Sequence, residues 1–257
     1  MSSDNLQKTE NLIRALHEIP RGTPITTSQC ERRWKVSRQS VHWYAKAGWL
    51  DMLGHGYYIR QGETPTVTGT VAALEDSGFK VHIAGKSALD LKGFSHYLSL
   101  GSGKLYLYGQ DVRQLPKWLY KFFSVELATK KLFKEDSSKW LFVRPLETKD
   151  ESSPYVSDPE RALLEMLDNV PATQTLEESK EIMESMHSLN PGKVEILLQH
   201  CTRVRVKRLF WVLCQELDLP VIKGIDINKI DFGSSSPYIL KHGQKTMAIK
   251  NPRTGTK

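Results

Sequence analysis

Residues 26–60, TTSQCERRWKVSRQSVHWYAKAGWLDMLGHGYYIR, decide the fold of the first part of this chain. Thr27 is placed to cap a helix on which Cys30 and Trp34 fall one turn apart on one face. Lys35-Val36-Ser37 supplies a tight turn. Ser37 then caps a second helix, where Val41, Tyr44 and Ala45 recur at helical spacing and face inward. Arg38, Gln39, His42 and Lys46 are left on the outer face. Gly48 ends that helix, because glycine adopts the left-handed conformation at little cost. Residues 50–53 and 57–60 read as two short strands joined through Gly54-His55-Gly56, a hairpin signal. Helix, turn, helix and hairpin make a winged helix-turn-helix, whose second helix enters the major groove of DNA.

The outer face carries the right chemistry for that role. Arg matches guanine O6 and N7 and Gln matches adenine N6 and N7, each pair worth about 1–3 kcal/mol of discrimination. Arg38, Gln39 and His42 are therefore the candidate base readers. Ser40 and Lys46 suit phosphate contacts, which fix register without reading sequence. His55 stands at the wing tip, and Thr27 and Arg33 complete the candidate DNA-binding set. Arg32 and Arg33 also lie at a helix C-terminus, where the helix dipole stabilises cations without any DNA. Trp43 reads equally well as packed or as facing the DNA backbone, and Arg60 as following that backbone or simply solvated.

Bulk properties agree with a DNA-binding regulator. Of 257 residues, 39% are hydrophobic, and no apolar run approaches the roughly 18–20 residues of a membrane span. The N-terminus lacks the basic and apolar segments of a secretory signal. Three cysteines without CxxC spacing suit a reducing compartment and give no zinc signature, so the expected location is the cytoplasm. The net charge of +7 divides unevenly. Residues 1–62 carry +4 (nine Lys/Arg, five Asp/Glu), residues 63–199 carry −4 (16 against 20), and residues 200–257 carry +7 (11 against four). A basic end over a helix-turn-helix suits a polyanion.

A first helix over residues 5–19 precedes the module and stops at Pro20. Residues 61–65, QGETP, mark the boundary between a winged domain, 1–62, and a larger second domain, 63–257. Within the latter, residues 63–156 mix helices at 66–77 and 85–92, the second closed by Gly93, with strands at 81–84, 105–108, 125–132 and 141–146. No βαβ rhythm appears, so the fold class is α+β. Residues 157–218 read as helical, with capping-box patterns at Ser157…Glu160 and Thr175…Glu178, a helix opening at Pro191, and another carrying Val206, Leu209, Phe210, Leu213 and Leu217. Residues 219–257 read as short strands, including a hairpin of 238–240 with 246–249, and residues 251–257 as a frayed end.

Arg203, Arg205, Lys207 and Arg208 gather at the start of that last helix, the end where the dipole disfavours cations. Internal acidic partners, plain solvation or an anionic partner surface would each account for them. Enzymatic signatures are absent: no phosphate-binding glycine loop, no H-E-x-x-H and no nucleophile elbow. Glu126 and Lys130, with Asp111 upstream, have the residue types of a metal-dependent nuclease but sit in an ordinary strand-like run. His82 and His96 read as structural, so neither catalysis, metal nor cofactor is expected.

Several blocks of the second domain resemble a known family. They are Gly85-Lys86-Ser87-Ala88-Leu89-Asp90-Leu91-Lys92-Gly93, His96-Tyr97-Leu98, Leu105-Tyr106-Leu107-Tyr108-Gly109 and Leu115-Pro116-Lys117-Trp118-Leu119. Asp158-Pro159-Glu160-Arg161-Ala162-Leu163-Leu164-Glu165-Met166-Leu167 and Val206-Lys207-Arg208-Leu209-Phe210 follow. In order and spacing these are similar to the AbiEi-type antitoxins of abortive-infection systems. The resemblance implies a type IV toxin–antitoxin antitoxin whose winged domain binds inverted repeats in its own promoter and represses it. It also implies that the C-terminal domain counteracts a co-encoded nucleotidyltransferase-like toxin, which in the family does not require a stable complex. Two copies, as a dimer or as monomers bound cooperatively, would occupy a two-fold operator. A ligand-responsive regulator and a DNA-targeted nuclease are the alternatives.

Overall fold

A computed structural model describes residues 16–94, 104–109, 114–134, 140–147, 153–242 and 245–254. Most of the expected first helix, the His96-Tyr97-Leu98 block and Asp111 lie outside them. The fold is α+β, with a winged helix-turn-helix at its N-terminal end.

Strand β1 (Ile25–Thr26) leads into helix α1 (Thr27–Trp34), helix α2 (Arg38–Lys46) and the wing strands β2 (Leu50–Gly54) and β3 (Tyr57–Arg60). The first cap differs from the expected one. Thr26, not Thr27, holds the N-cap: its hydroxyl accepts from Gln29 N at 3.0 Å, and the Gln29 side chain accepts from Thr26 N. Two adjacent threonines are equivalent as sequence, and pairing of Ile25 and Thr26 with Tyr58 and Tyr57 settles which one leaves the strand. Lys35 turns the chain with φ of 57°, and Ser37 caps α2 by accepting from Ser40 N at 3.2 Å. Ile25, Cys30, Val36, Val41, Tyr44, Leu50 and Tyr58 form a small core under the three-stranded sheet β1-β3-β2.

The rest of the chain builds a second, larger core on a five-stranded sheet of order β6-β5-β4-β8-β7. Its strands are β4 (Val81–Ile83), β5 (Lys104–Gly109), β6 (Ser124–Ala128), β7 (Val143–Pro145) and β8 (Tyr155–Ser157). Pairs β4/β5 and β7/β8 are antiparallel, while β4/β8 and β5/β6 are parallel. Helices α3 (Val67–Asp76), α4 (Gly85–Leu91), α5 (Pro159–Asp168), α6 (Leu176–Glu184), α7 (Pro191–His200) and α8 (Val204–Glu216) surround it. The hairpin β9 (Tyr238–His242) with β10 (Lys245–Ile249) packs near α8.

Three other expectations change. Ser157 caps nothing; it ends β8, and Asp158 takes the cap position of α5. Residues 220–224 and 227–229 form 3-10 turns rather than strands. The chain end is tied down as far as Thr254, since Asn251 Nδ2 donates to Gly233 O at 3.0 Å and Arg253 donates to the carbonyls of Ile227 and Asn228.

Helix α5 is the centre of the larger core. Its Arg161 is fully buried between the rings of Phe133, 4.8 Å from guanidinium carbon to centroid, and Tyr108, 5.4 Å. Arg161 Nε donates to Glu165 Oε1 at 2.6 Å, one turn along the helix. Glu165 also accepts from Gly85 N at 3.0 Å and Ser157 Oγ at 2.8 Å, and lies 3.3 Å from His82 Nε2. Burial alone would raise the Glu165 carboxyl, but the Arg161 charge and the hydrogen bonds with His82 and Arg161 hold it down at about 2. One carboxylate thus fastens β4, the start of α4, β8 and α5 together.

The winged unit is clamped to this body. Asp76, at the end of α3, accepts from Thr26 Oγ1 at 3.0 Å and pairs with Arg32. Trp118 packs on the wing, its ring centroid 5.3 Å from that of Tyr57. Gly54 is what admits it: a Cβ there would lie 2.9 Å from Trp118 Cδ1. On the other side of the junction, Gly69 lets α3 approach Thr23, where a Cβ would meet the backbone at 2.6 Å.

Candidate nucleic-acid interface

Helix α2 buries Val41 and Tyr44 and turns Arg38, Gln39, His42 and Lys46 to solvent. The candidate base readers therefore share one free face with the candidate phosphate ligand. Arg38 stands at the first position of α2, where the helix dipole disfavours a cation; Glu31 of α1 offsets this, its Oε1 accepting from Arg38 N at 3.2 Å. The Arg38 guanidinium reaches across to the wing, with Nη2 3.4 Å from His55 Nε2. Recognition helix and wing tip therefore present one continuous polar surface.

The remaining candidates stand at its margins. The Ser40 hydroxyl lies 2.9 Å from that of Ser37 and is drawn into the cap of α2. Thr27, half-buried, follows the cap, its backbone N donating to Gly56 O at 3.1 Å beneath the wing tip. Arg33 is exposed but lines a cleft of about 380 Å³ between the winged unit and the larger body, together with Glu75, Asp76 and Glu147. Arg60 serves the fold: its guanidinium donates to Leu16 O and Ile19 O, both at 2.8 Å, and pairs with Glu63.

The second basic cluster is not a free surface. Arg203 and Arg205 both reach Asp168 Oδ1, at 2.6 and 3.0 Å. Lys207, 4% exposed, donates to Asp231 O at 2.9 Å, and burial lowers its pKa. Arg208, 2% exposed, donates to the carbonyls of Phe232, Ser234 and Ser236. The partner-surface reading of these four residues gives way to an internal one. They hold the start of α8 to the end of α5 and to the segment leading into β9. Sequence showed the cluster, but its partners lie 24 to 37 residues away and are largely backbone oxygens, which leave no compositional trace.

Glu126 and Lys130 do share a cleft, of about 260 Å³, with Tyr106, Glu165, Asp168 and Arg203. Of its three carboxylates, Glu165 is neutralised by Arg161, and Asp168 by Arg203 with Arg205. Among the described residues no group of three His, Cys, Asp or Glu side chains is placed to hold a metal ion. Cys30, Cys201 and Cys214 are free and buried; burial pushes the Cys30 thiol up to about 12 and Cys201 to about 11, so neither forms a reactive thiolate. No described helix is long and apolar enough to cross a membrane.

Comparison with known proteins agrees with this architecture. In fold the chain is similar to the RV2827C protein from Mycobacterium tuberculosis, as seen in its crystal structure. The TM-score is 0.55 at 13% identity, over 90% of this chain and 88% of that one. No curated protein matches the sequence. A family model for the N-terminal domain of the AbiEi antitoxin transcriptional regulators matches residues 7–100. A second, for the AbiEi antitoxin transcriptional regulators of type IV toxin–antitoxin systems, matches residues 102–251. Together they span nearly the whole sequence, and the chain belongs to the AbiEi antitoxin family of transcriptional regulators.

Proposed function

We propose that this protein represses its own promoter by reading inverted repeats with α2 and the wing, and that its larger part counteracts a co-encoded nucleotidyltransferase-like toxin in the cytoplasm. The functional division falls at 62/63, with DNA recognition in residues 1–62 and antitoxicity in residues 63–257. Neither activity needs a cofactor. The observation that carries the DNA reading is the free face of Arg38, Gln39, His42 and Lys46, continuous with His55 through the Arg38 contact. Arg38, Gln39 and His42 read base edges, Lys46 and Ser40 hold phosphates, and Thr27 and Arg33 flank them. Family membership is what supports the antitoxic role, and direct contact with the toxin is not required by it.

The test is a titration of labelled promoter DNA with the full chain. Affinity should fall by about 0.9 log units per log unit of salt for each phosphate contact. Arg38→Ala should weaken binding mainly at the promoter site, whereas Lys46→Ala should weaken all duplexes alike and flatten the salt slope by about one. The two activities are best separated by point variants. Truncation at residue 62 would strip the wing from Trp118 and expose it. A chain carrying Arg38→Ala, Gln39→Ala and His42→Ala should lose repression and keep toxin rescue. Retained repression by that chain would end the DNA reading.

A further inference from the structure

Trp43 is 57% exposed in the middle of α2, although a tryptophan gains little by facing water. Its ring is held, not loose: it meets the ring of buried Tyr44 edge-on, centroids 5.1 Å apart at 79°. At about 100° per residue, Gln39 and Lys46 lie opposite the buried Val41 and Tyr44, and His42 and Trp43 flank them roughly 50° to either side. His42 lies on the side of Arg38, which touches the wing tip. Trp43 therefore lines the edge away from the wing.

The surroundings say what the ring meets. Arg38, Gln39, His42 and Lys46 make this a basic, polar face, complementary to a polyanion rather than to an apolar protein surface. Within the major groove, the apolar group that bases present is the thymine 5-methyl. We propose that Trp43 is a specificity-determining residue that packs on thymine methyl groups along the groove edge away from the wing. This rests on the DNA reading above and adds apolar discrimination to the polar contacts of Arg38 and Gln39.

The test is a cycle of two protein forms and two DNAs. The full chain and Trp43→Ala are titrated with the promoter duplex and with the same duplex made with deoxyuridine in place of thymidine. The wild type should lose about fourfold in affinity for each contacted methyl. Trp43→Ala should bind the thymine duplex about as weakly as the wild type binds the uracil duplex, and should lose nothing further on uracil. Trp43→Phe should keep the sensitivity to the methyls, and the salt slope should be the same for all three proteins. Overturning results are Trp43→Ala binding like the wild type, or losing as much as the wild type when thymine is replaced. If the wild type itself does not prefer the promoter over a scrambled duplex, the DNA reading fails first. The Arg38→Ala titration identifies that outcome separately.

Discussion

Replacing Arg161 by Met should be among the most damaging single changes outside the reading face. Arg161 is fully buried, donates to Glu165 at 2.6 Å and to Leu141 O at 2.7 Å, and lies against two aromatic rings. Methionine fills much of the space, so the cost is electrostatic. Breaking a buried ion pair by removing one partner costs about 3–5 kcal/mol. The carbonyl of Leu141 loses a donor, which costs about 1–3 kcal/mol more. Folded domains are stable by only about 5–15 kcal/mol, so a loss near 5 kcal/mol leaves the chain marginal at 25 °C. The deficit should depend on pH. In the wild type, Glu165 is held at about 2, so its stabilising contribution is complete above the ordinary carboxylate pKa and fades as pH falls. Without Arg161 the largest influence opposing burial is gone and the carboxyl rises, so the variant is penalised most where Glu165 must stay charged. Urea unfolding at pH 5 and pH 8 should therefore show the smaller gap at pH 5. Adding Glu165→Gln to Arg161→Met should restore part of the loss, because the two residues act as a pair. A deficit under 1 kcal/mol, or one equal at both pH values, would refute this account. Where the variant is still folded it should bind promoter DNA normally, since the winged core is separate from the one around α5.

Thr26→Ala should cost about 0.5–2 kcal/mol by removing the cap of α1, whereas Thr27→Ala should be nearly neutral; thermal melts of the pair decide which threonine caps. Gly54→Ala drives a Cβ to 2.9 Å from Trp118 and should destabilise by about 1–3 kcal/mol, with a change in tryptophan fluorescence as the ring shifts. Glu75 is pushed up to about 8, chiefly by burial, against the hydrogen bond it accepts from Tyr155 N. The folded state then holds a proton that the unfolded state releases between the ordinary carboxylate pKa and pH 8. Stability should therefore fall as pH rises through that window, and Glu75→Gln should flatten the melting profile across it.

What was legible in sequence was local. Ser37 as a cap, Val41 and Tyr44 as the inward face of α2 and the Gly54–Gly56 hairpin all follow from residues within a few positions of one another, and all stand as expected. The outward turn of Arg38, Gln39, His42 and Lys46 was legible for the same reason. Thr26 and Thr27 were not separable, because only the pairing of β1 with β3 distinguishes them. Ser157 looked like a cap because a strand of three residues ending at a helix start has almost no pattern of its own. Arg161 and Glu165 look from their spacing like a solvated helix pair, and their burial depends on Phe133, Tyr108 and His82, all distant in sequence. The Asp76 clamp on Thr26 and Arg32 joins residues 44 to 50 positions apart and could not have been read.

That clamp, together with Trp118 seated against Gly54 and Tyr57, makes the reading head a fixed tool rather than one on a tether. A fixed head behaves as a caliper on a two-fold operator. Each base pair inserted between the half-sites moves one of them about 3.4 Å along the axis and turns it by about a tenth of a revolution. A tethered head would absorb that step in its linker. If two copies bind such an operator in contact, the strain falls on that contact, so cooperative occupancy should collapse after a half-turn insertion and return after a full one.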